Sequence, residues 1–88
     1  MASPSLSPLH VRLARTALGL GVREAGALAL VSPHTIVRIE RGEILQPRTN
    51  KAIRDAFEGA GVVFIEADES GGEGVRMKAP ATSKQQAR

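Results

Sequence analysis

Proline and glycine divide the chain between Ser7 and Gly59 into pieces that suit only short, tightly packed helices. Ser7-Pro8 and Ser32-Pro33 each place a side-chain N-cap before a proline at the first helical position, where the missing N–H is no loss. Gly19 and Gly21 stop the first piece, Gly42 stops the third, and Pro47 and Gly59 bracket the last. A first helix is predicted from Pro8, with Val11, Ala14 and Leu18 at helical spacing. A second is predicted over 22–29, although Gly26 inside it costs about 1 kcal/mol. The third opens at Pro33 and turns Ile36 and Ile39 inward with Thr35 beside them, leaving His34, Val37, Arg38 and Arg41 toward solvent or a partner. The fourth spans 48–59 with Ala52, Ile53, Ala56 and Phe57 as its buried stripe.

Beyond Gly61 the pattern changes period. Val62 to Ala67 is β-branched and aromatic, Asp68 to Gly74 is a glycine-rich turn, and Val75 to Lys78 can return as a second strand. A lone hairpin is marginal in water, so it must pack on the helices or pair with another chain. The expected fold class is mainly α, four short helices followed by a C-terminal β-hairpin. The helical domain occupies 8–60 and the hairpin 61–78, between unstructured ends at 1–7 and 79–88.

Composition removes whole classes of chemistry. The 88 residues include no cysteine, so neither a disulfide framework nor a thiolate metal site holds the chain together. Two Phe are its only aromatics, and the core must come from Leu, Ile, Val and Ala. The apolar run from Ala25 to Val31 is far below the roughly 20 residues that span a bilayer. The Ser- and Pro-rich start lacks the basic and apolar regions of a secretory signal. A cytoplasmic protein with no membrane partner is expected. No Ser/His/Asp arrangement, HExxH or GxxxxGK motif appears, so an enzyme is not expected, and no cofactor is implied. Glu66, Asp68 and Glu69 do not match an EF-hand loop and read as a solvated hairpin tip, so no metal is expected. His10 has no evident partner. Net charge is +3 and the isoelectric point about 10.2, which leans toward anionic partners.

The functional signal lies between Leu18 and Gly42, two short helices around a tight turn. A helix-turn-helix lays its first helix across the DNA backbone and its second in the major groove. Such a reader needs short polar side chains where its second helix begins, and cations around it. Ser32, Pro33 and His34 stand at that start and Arg38 one turn later, giving four candidate base contacts. Arginine bidentate to guanine is the commonest base-specific contact. Arg23, Arg41, Arg48, Lys51 and Arg54 are candidate phosphate contacts. Double-stranded DNA is the expected partner.

The run Val31-Ser32-Pro33-His34-Thr35-Ile36-Val37-Arg38-Ile39-Glu40-Arg41-Gly42 resembles the "VSxxTIxRIERG" recognition-helix segment of the XRE (lambda-repressor/Cro-like) helix-turn-helix family. The likeness extends from Ser7 to Lys78. The stretch from Ser7 to Leu20 looks like that family's first helix, Pro47 to Val62 like its fourth, and Val62 to Lys78 is similar to a hairpin carried by small bacterial members. The resemblance implies a lambda-repressor-like helix-turn-helix bundle that reads bases from Pro33, His34 and Arg38. It also implies a backbone contact from Arg48 and a structural ion pair between Arg15 and Glu40. The chain makes three departures from the family pattern. Val22 stands where a polar residue usually opens helix two, and Ala25-Gly26 replaces the usual Leu-Ala. Leu30 stands where the turn takes a glycine with positive φ, a conformation that costs a leucine roughly 1–2 kcal/mol. Either that turn is rebuilt or helix two slips by a residue.

The expected function is a sequence-specific transcriptional regulator, a repressor at a nearby promoter. One reader touches only a half-site, so a homodimer is expected, with Val62, Phe64 and Ile65 as core or dimer interface. The alternative is a helix-turn-helix kept as a protein-interaction module, an antitoxin on its toxin or an antiactivator on a regulator. The Arg38, Arg48, Lys51 and Arg54 surface discriminates the two.

Overall fold

The computed structural model describes residues 6–78, and the tails expected at 1–5 and 79–88 lie outside the described residues. Four helices, α1 (Pro8–Ala17), α2 (Val22–Ala29), α3 (Pro33–Glu40) and α4 (Pro47–Gly59), precede an antiparallel hairpin of β1 (Val62–Ile65) and β2 (Gly74–Met77). The protein is therefore mainly helical with a two-stranded sheet at its C-terminal side. Helix α1 packs on α3 and on both strands, α2 packs on α3 and α4, and α4 supports β1. Val11, Ala14, Ala25, Ile36, Ile53, Phe57 and Val62 are almost wholly buried where these elements meet.

Each helix begins as its local chemistry dictates. The Ser7 hydroxyl accepts from the His10 N–H at 3.0 Å, while the Ser7 N–H donates to His10 Nδ1 at 3.3 Å. The Ser32 hydroxyl accepts from the Thr35 N–H at 3.1 Å. Gly21 has no side chain to offer, and its N–H instead donates to Glu24 Oε1 at 3.0 Å. Ordered structure reaches further toward the N-terminus than the 1–7 boundary anticipates. Leu6 is 6% exposed and joins the core, because the capped turn folds it back over the bundle.

The joint between α2 and α3 keeps its left-handed turn with leucine in it. Leu30 adopts φ 59° and ψ 40° and is 91% exposed, so it bears the steric cost of that region without burying its side chain. The Leu30 N–H bonds the Ala27 carbonyl and the Val31 N–H bonds the Gly26 carbonyl, the crossed pair that closes a Schellman turn. Gly26 is explained at the same place, since a Cβ there would sit 2.7 Å from the Val31 carbonyl oxygen and 3.0 Å from the Pro33 nitrogen. Only a hydrogen lets α2 approach the start of α3 so closely.

The hairpin pairs Val62 with Met77, Val63 with Arg76, Phe64 with Val75 and Ile65 with Gly74. Both strands end one or two residues from their expected limits: Glu66 and Ala67 are exposed and fall outside β1, and Gly74 joins β2. Alternation along β1 buries Val62 and Phe64 and exposes Val63 and Ile65. Val62 and Phe64 therefore belong to the chain's own core and are not open to a second subunit; of the three dimer candidates, Ile65 alone is exposed. At the tip, Ser70 donates its hydroxyl and its N–H to Asp68 Oδ1, which holds that carboxyl below the usual carboxylate range.

His10 corrects the view that it has no partner. It is 1% exposed, its Nε2 lies 2.9 Å from the Ile65 carbonyl oxygen, and its ring meets Phe64 edge-on at 5.3 Å. With Nδ1 accepting from Ser7, Nε2 carries the proton and donates to Ile65. One imidazole thus caps α1 and pins the hairpin to it. Among the described residues, no helix is long and apolar enough to cross a membrane.

Two substitutions at the α2–α3 joint have opposite expected signs. Gly26→Ala gains about 1 kcal/mol of helix propensity but forces a Cβ against main chain, and a net loss of about 1–2 kcal/mol is expected. Leu30→Gly relieves the left-handed strain by more than the added unfolded-state entropy of glycine costs, and raises Tm by roughly 2–8 °C. Thermal unfolding of both variants checks the pair, and a stabilising Gly26→Ala contradicts the close approach.

Candidate nucleic-acid interface

The exposed start of α3 presents the residues the sequence singles out. Ser32, Pro33 and His34 are exposed, and Arg38 follows one turn later with its side chain 43% exposed. Ile36 and Ile39, on the opposite face, are buried and anchor the helix to the bundle. Ser32 is less free than its position suggests, because its hydroxyl accepts from the Thr35 N–H and lies 3.1 Å from the Thr35 hydroxyl. Pro33 offers no donor, so its capacity is an apolar touch.

Arg15 and Glu40 hold α3 from behind. Arg15 Nε donates to Glu40 Oε2 at 2.8 Å and Nη2 donates to Oε1 at 3.0 Å, a two-point pair joining α1 to α3. Arg15 Nη1 also bonds the Leu20 carbonyl at 3.2 Å, so the same guanidinium ties down the α1–α2 connection. The hydrogen bonds to Glu40 push the guanidinium pKa above its already high ordinary value. Arg12 approaches Glu40 from the solvent side at 3.7 Å.

The five candidate phosphate contacts divide by what already neutralises them. Arg23, Arg41 and Arg48 are exposed and form no ion pair among the described residues. Lys51 is exposed but bonds Asp55 one turn along α4, and that hydrogen bond holds its ammonium pKa above the usual lysine value. An exposed pair of this kind contributes little and yields readily to a phosphate. Arg54 is different. Its side chain is 20% exposed, Nε donates to Glu58 at 3.0 Å, Nη1 lies 3.9 Å from Glu66, and the guanidinium sits 5.1 Å from the centre of the Phe64 ring. Arg54 therefore joins α4 to the hairpin and leaves the set of free cations. The sequence conceals this because Glu66 and Phe64 reach it only through the folded hairpin.

Two features escape sequence reasoning. Arg38 Nε donates to Glu43 Oε1 at 2.8 Å, an ion pair across the turn that follows α3. A groove beside Ser32, Thr35 and Arg38 is walled by Leu45, Thr49 and Ile44, and Ile44 is 96% exposed. Among the described residues, Leu30 and Ile44 are the two most exposed large apolar side chains.

Removing one partner of the Arg15–Glu40 pair strands the other in a partly dry site. Arg15→Ala is expected to cost roughly 2–3 kcal/mol in urea unfolding, less than a fully buried pair because Arg15 keeps some contact with water. A loss within about 0.5 kcal/mol, the range of ordinary surface positions, contradicts the clamp. No protein-family model matches the chain, and no curated protein matches it.

Proposed function

We propose that this chain is a sequence-specific DNA-binding transcriptional regulator, with α2 and α3 as the helix-turn-helix of a lambda-repressor-like bundle. The observation that carries the reading is the free, clamped start of α3. Its base-facing candidates stand clear of the core while Ile36, Ile39 and the Arg15–Glu40 pair fix the helix from behind. In the proposed complex α3 enters the major groove. Arg38 donates to guanine O6 and N7, His34 reaches a neighbouring base edge, and Pro33 touches a thymine methyl. Arg23, Arg41 and Arg48 meet phosphates, with Lys51 exchanging Asp55 for the backbone.

A single α3 covers one half-site, so the regulator acts as a homodimer on a pseudo-palindrome, repressing a promoter near its own gene in the cytoplasm. The outer face of the hairpin, with Val63 and Ile65 exposed beside Arg76, is the proposed contact between subunits. Ile65→Lys is expected to shift the sedimentation profile toward monomer; an unchanged profile refutes this interface.

Fluorescence anisotropy on duplexes tiled across the upstream region of its own gene, at two salt concentrations, tests the DNA reading. A tile bound about 10³-fold tighter than scrambled duplex, with that preference lost in Arg38→Ala, is the expected result. Equal, weak binding to every tile that vanishes with salt refutes it and leaves only a basic surface. The exposed Leu30 and Ile44 favour a second reading in that event, a protein-interaction module that engages a toxin or another regulator.

A further inference from the structure

We infer that Glu43 is a positioning residue for Arg38, one that presents the arginine in the orientation that selects guanine; the inference rests on the DNA reading above. The contact is built from both main chain and side chain. After α3 the chain reverses at Gly42, whose φ of +98° few other residues adopt. The Glu43 N–H then donates to the Arg38 carbonyl at 3.1 Å, and its carboxylate accepts from Arg38 Nε at 2.8 Å. Residue 43 is thus held against residue 38 before any ligand arrives, unlike a pair of side chains that meet by chance on a surface.

The atoms used matter more than the charge. The bond is made by Nε, and Nη1 and Nη2 have no hydrogen-bond partner among the described residues. Those two nitrogens form the fork whose spacing matches O6 and N7 of guanine. Both side chains are nearly half exposed, so a base edge can reach the fork without displacing the carboxylate. An exposed ion pair contributes little to folding, but fixing the rotamers of a long cation before binding removes an entropic cost from recognition. The arrangement also has a drawback, since a carboxylate beside the duplex repels phosphates. Glu43 therefore exchanges general DNA affinity for discrimination at one base pair.

Selection from a duplex pool randomised over about two helical turns, with the full chain and its variants, tests this. Wild type is expected to enrich a guanine in each half-site by about 10-fold or more over other bases, and Arg38→Ala to flatten that position. Glu43→Ala should flatten the same position to about threefold or less, while Glu43→Gln, whose amide oxygen still accepts from Nε, keeps most of the preference. Both Glu43 variants should bind scrambled duplex more tightly than wild type, by about twofold or more, having lost a negative charge. A Glu43→Ala profile equal to wild type, or one flattened at a different position, overturns the inference and leaves the DNA reading intact. A wild-type chain that enriches no sequence overturns both.

Discussion

The contact between the Gly26 Cα and the main chain of Val31 and Pro33 is the constraint on which this structure depends. It sets how close α2 comes to the first turn of α3, and so where the exposed residues of α3 stand relative to the bundle. Gly26 gives up about 1 kcal/mol of helix propensity, and Leu30 a similar or larger amount of backbone strain, within a single turn. Two local sacrifices at one joint are the pattern expected where geometry is held against local preference. The Val31 and Leu30 N–H groups satisfy the Gly26 and Ala27 carbonyls at the end of α2.

Two polar devices then lock the elements around that joint. Arg15 connects α1, the α1–α2 connection and α3 through Glu40 and the Leu20 carbonyl. His10 connects α1 to the hairpin through Ser7 and the Ile65 carbonyl. Beyond the buried ring of His10, neither supplies much apolar burial. Their contribution is direction, since each fixes an angle between elements that aliphatic packing alone would leave looser. In a core with only two phenylalanines such directional groups carry more of the specification than they would in an aromatic-rich one.

The helical frame is legible in the sequence because its signals are local. A serine followed by proline, or a glycine past the last turn, acts within three or four residues, and all four helices begin at or beside such signals. The turn at Leu30 is legible only as a conflict, because the leucine's preference and the neighbouring hydrogen bonds pull in opposite directions. His10 and Arg54 are illegible for a common reason. Their surroundings are assembled by the hairpin, which the chain brings back from far along the sequence. The Arg38–Glu43 pair is hidden differently, since five residues of separation mean contact only when a glycine turns the chain at Gly42. Of the candidate interface, the positions on α3 follow from periodicity, while the partners that neutralise or orient its cations do not.

The bond between His10 and Ile65 spans 55 residues, most of the distance between Leu6 and Lys78. As the protein leaves the ribosome, α1 emerges before the hairpin, and the part of α1 that the strands cover stays open until they have been synthesised and released. The local helices can form early and reversibly, whereas the step that seals the bundle waits for its most distant contact. A ribosome that stalls before β1 therefore releases a product whose His10 lacks Phe64 and the Ile65 carbonyl, a ready mark for chaperones or proteases. The order of synthesis makes the last element of the fold a check on the first.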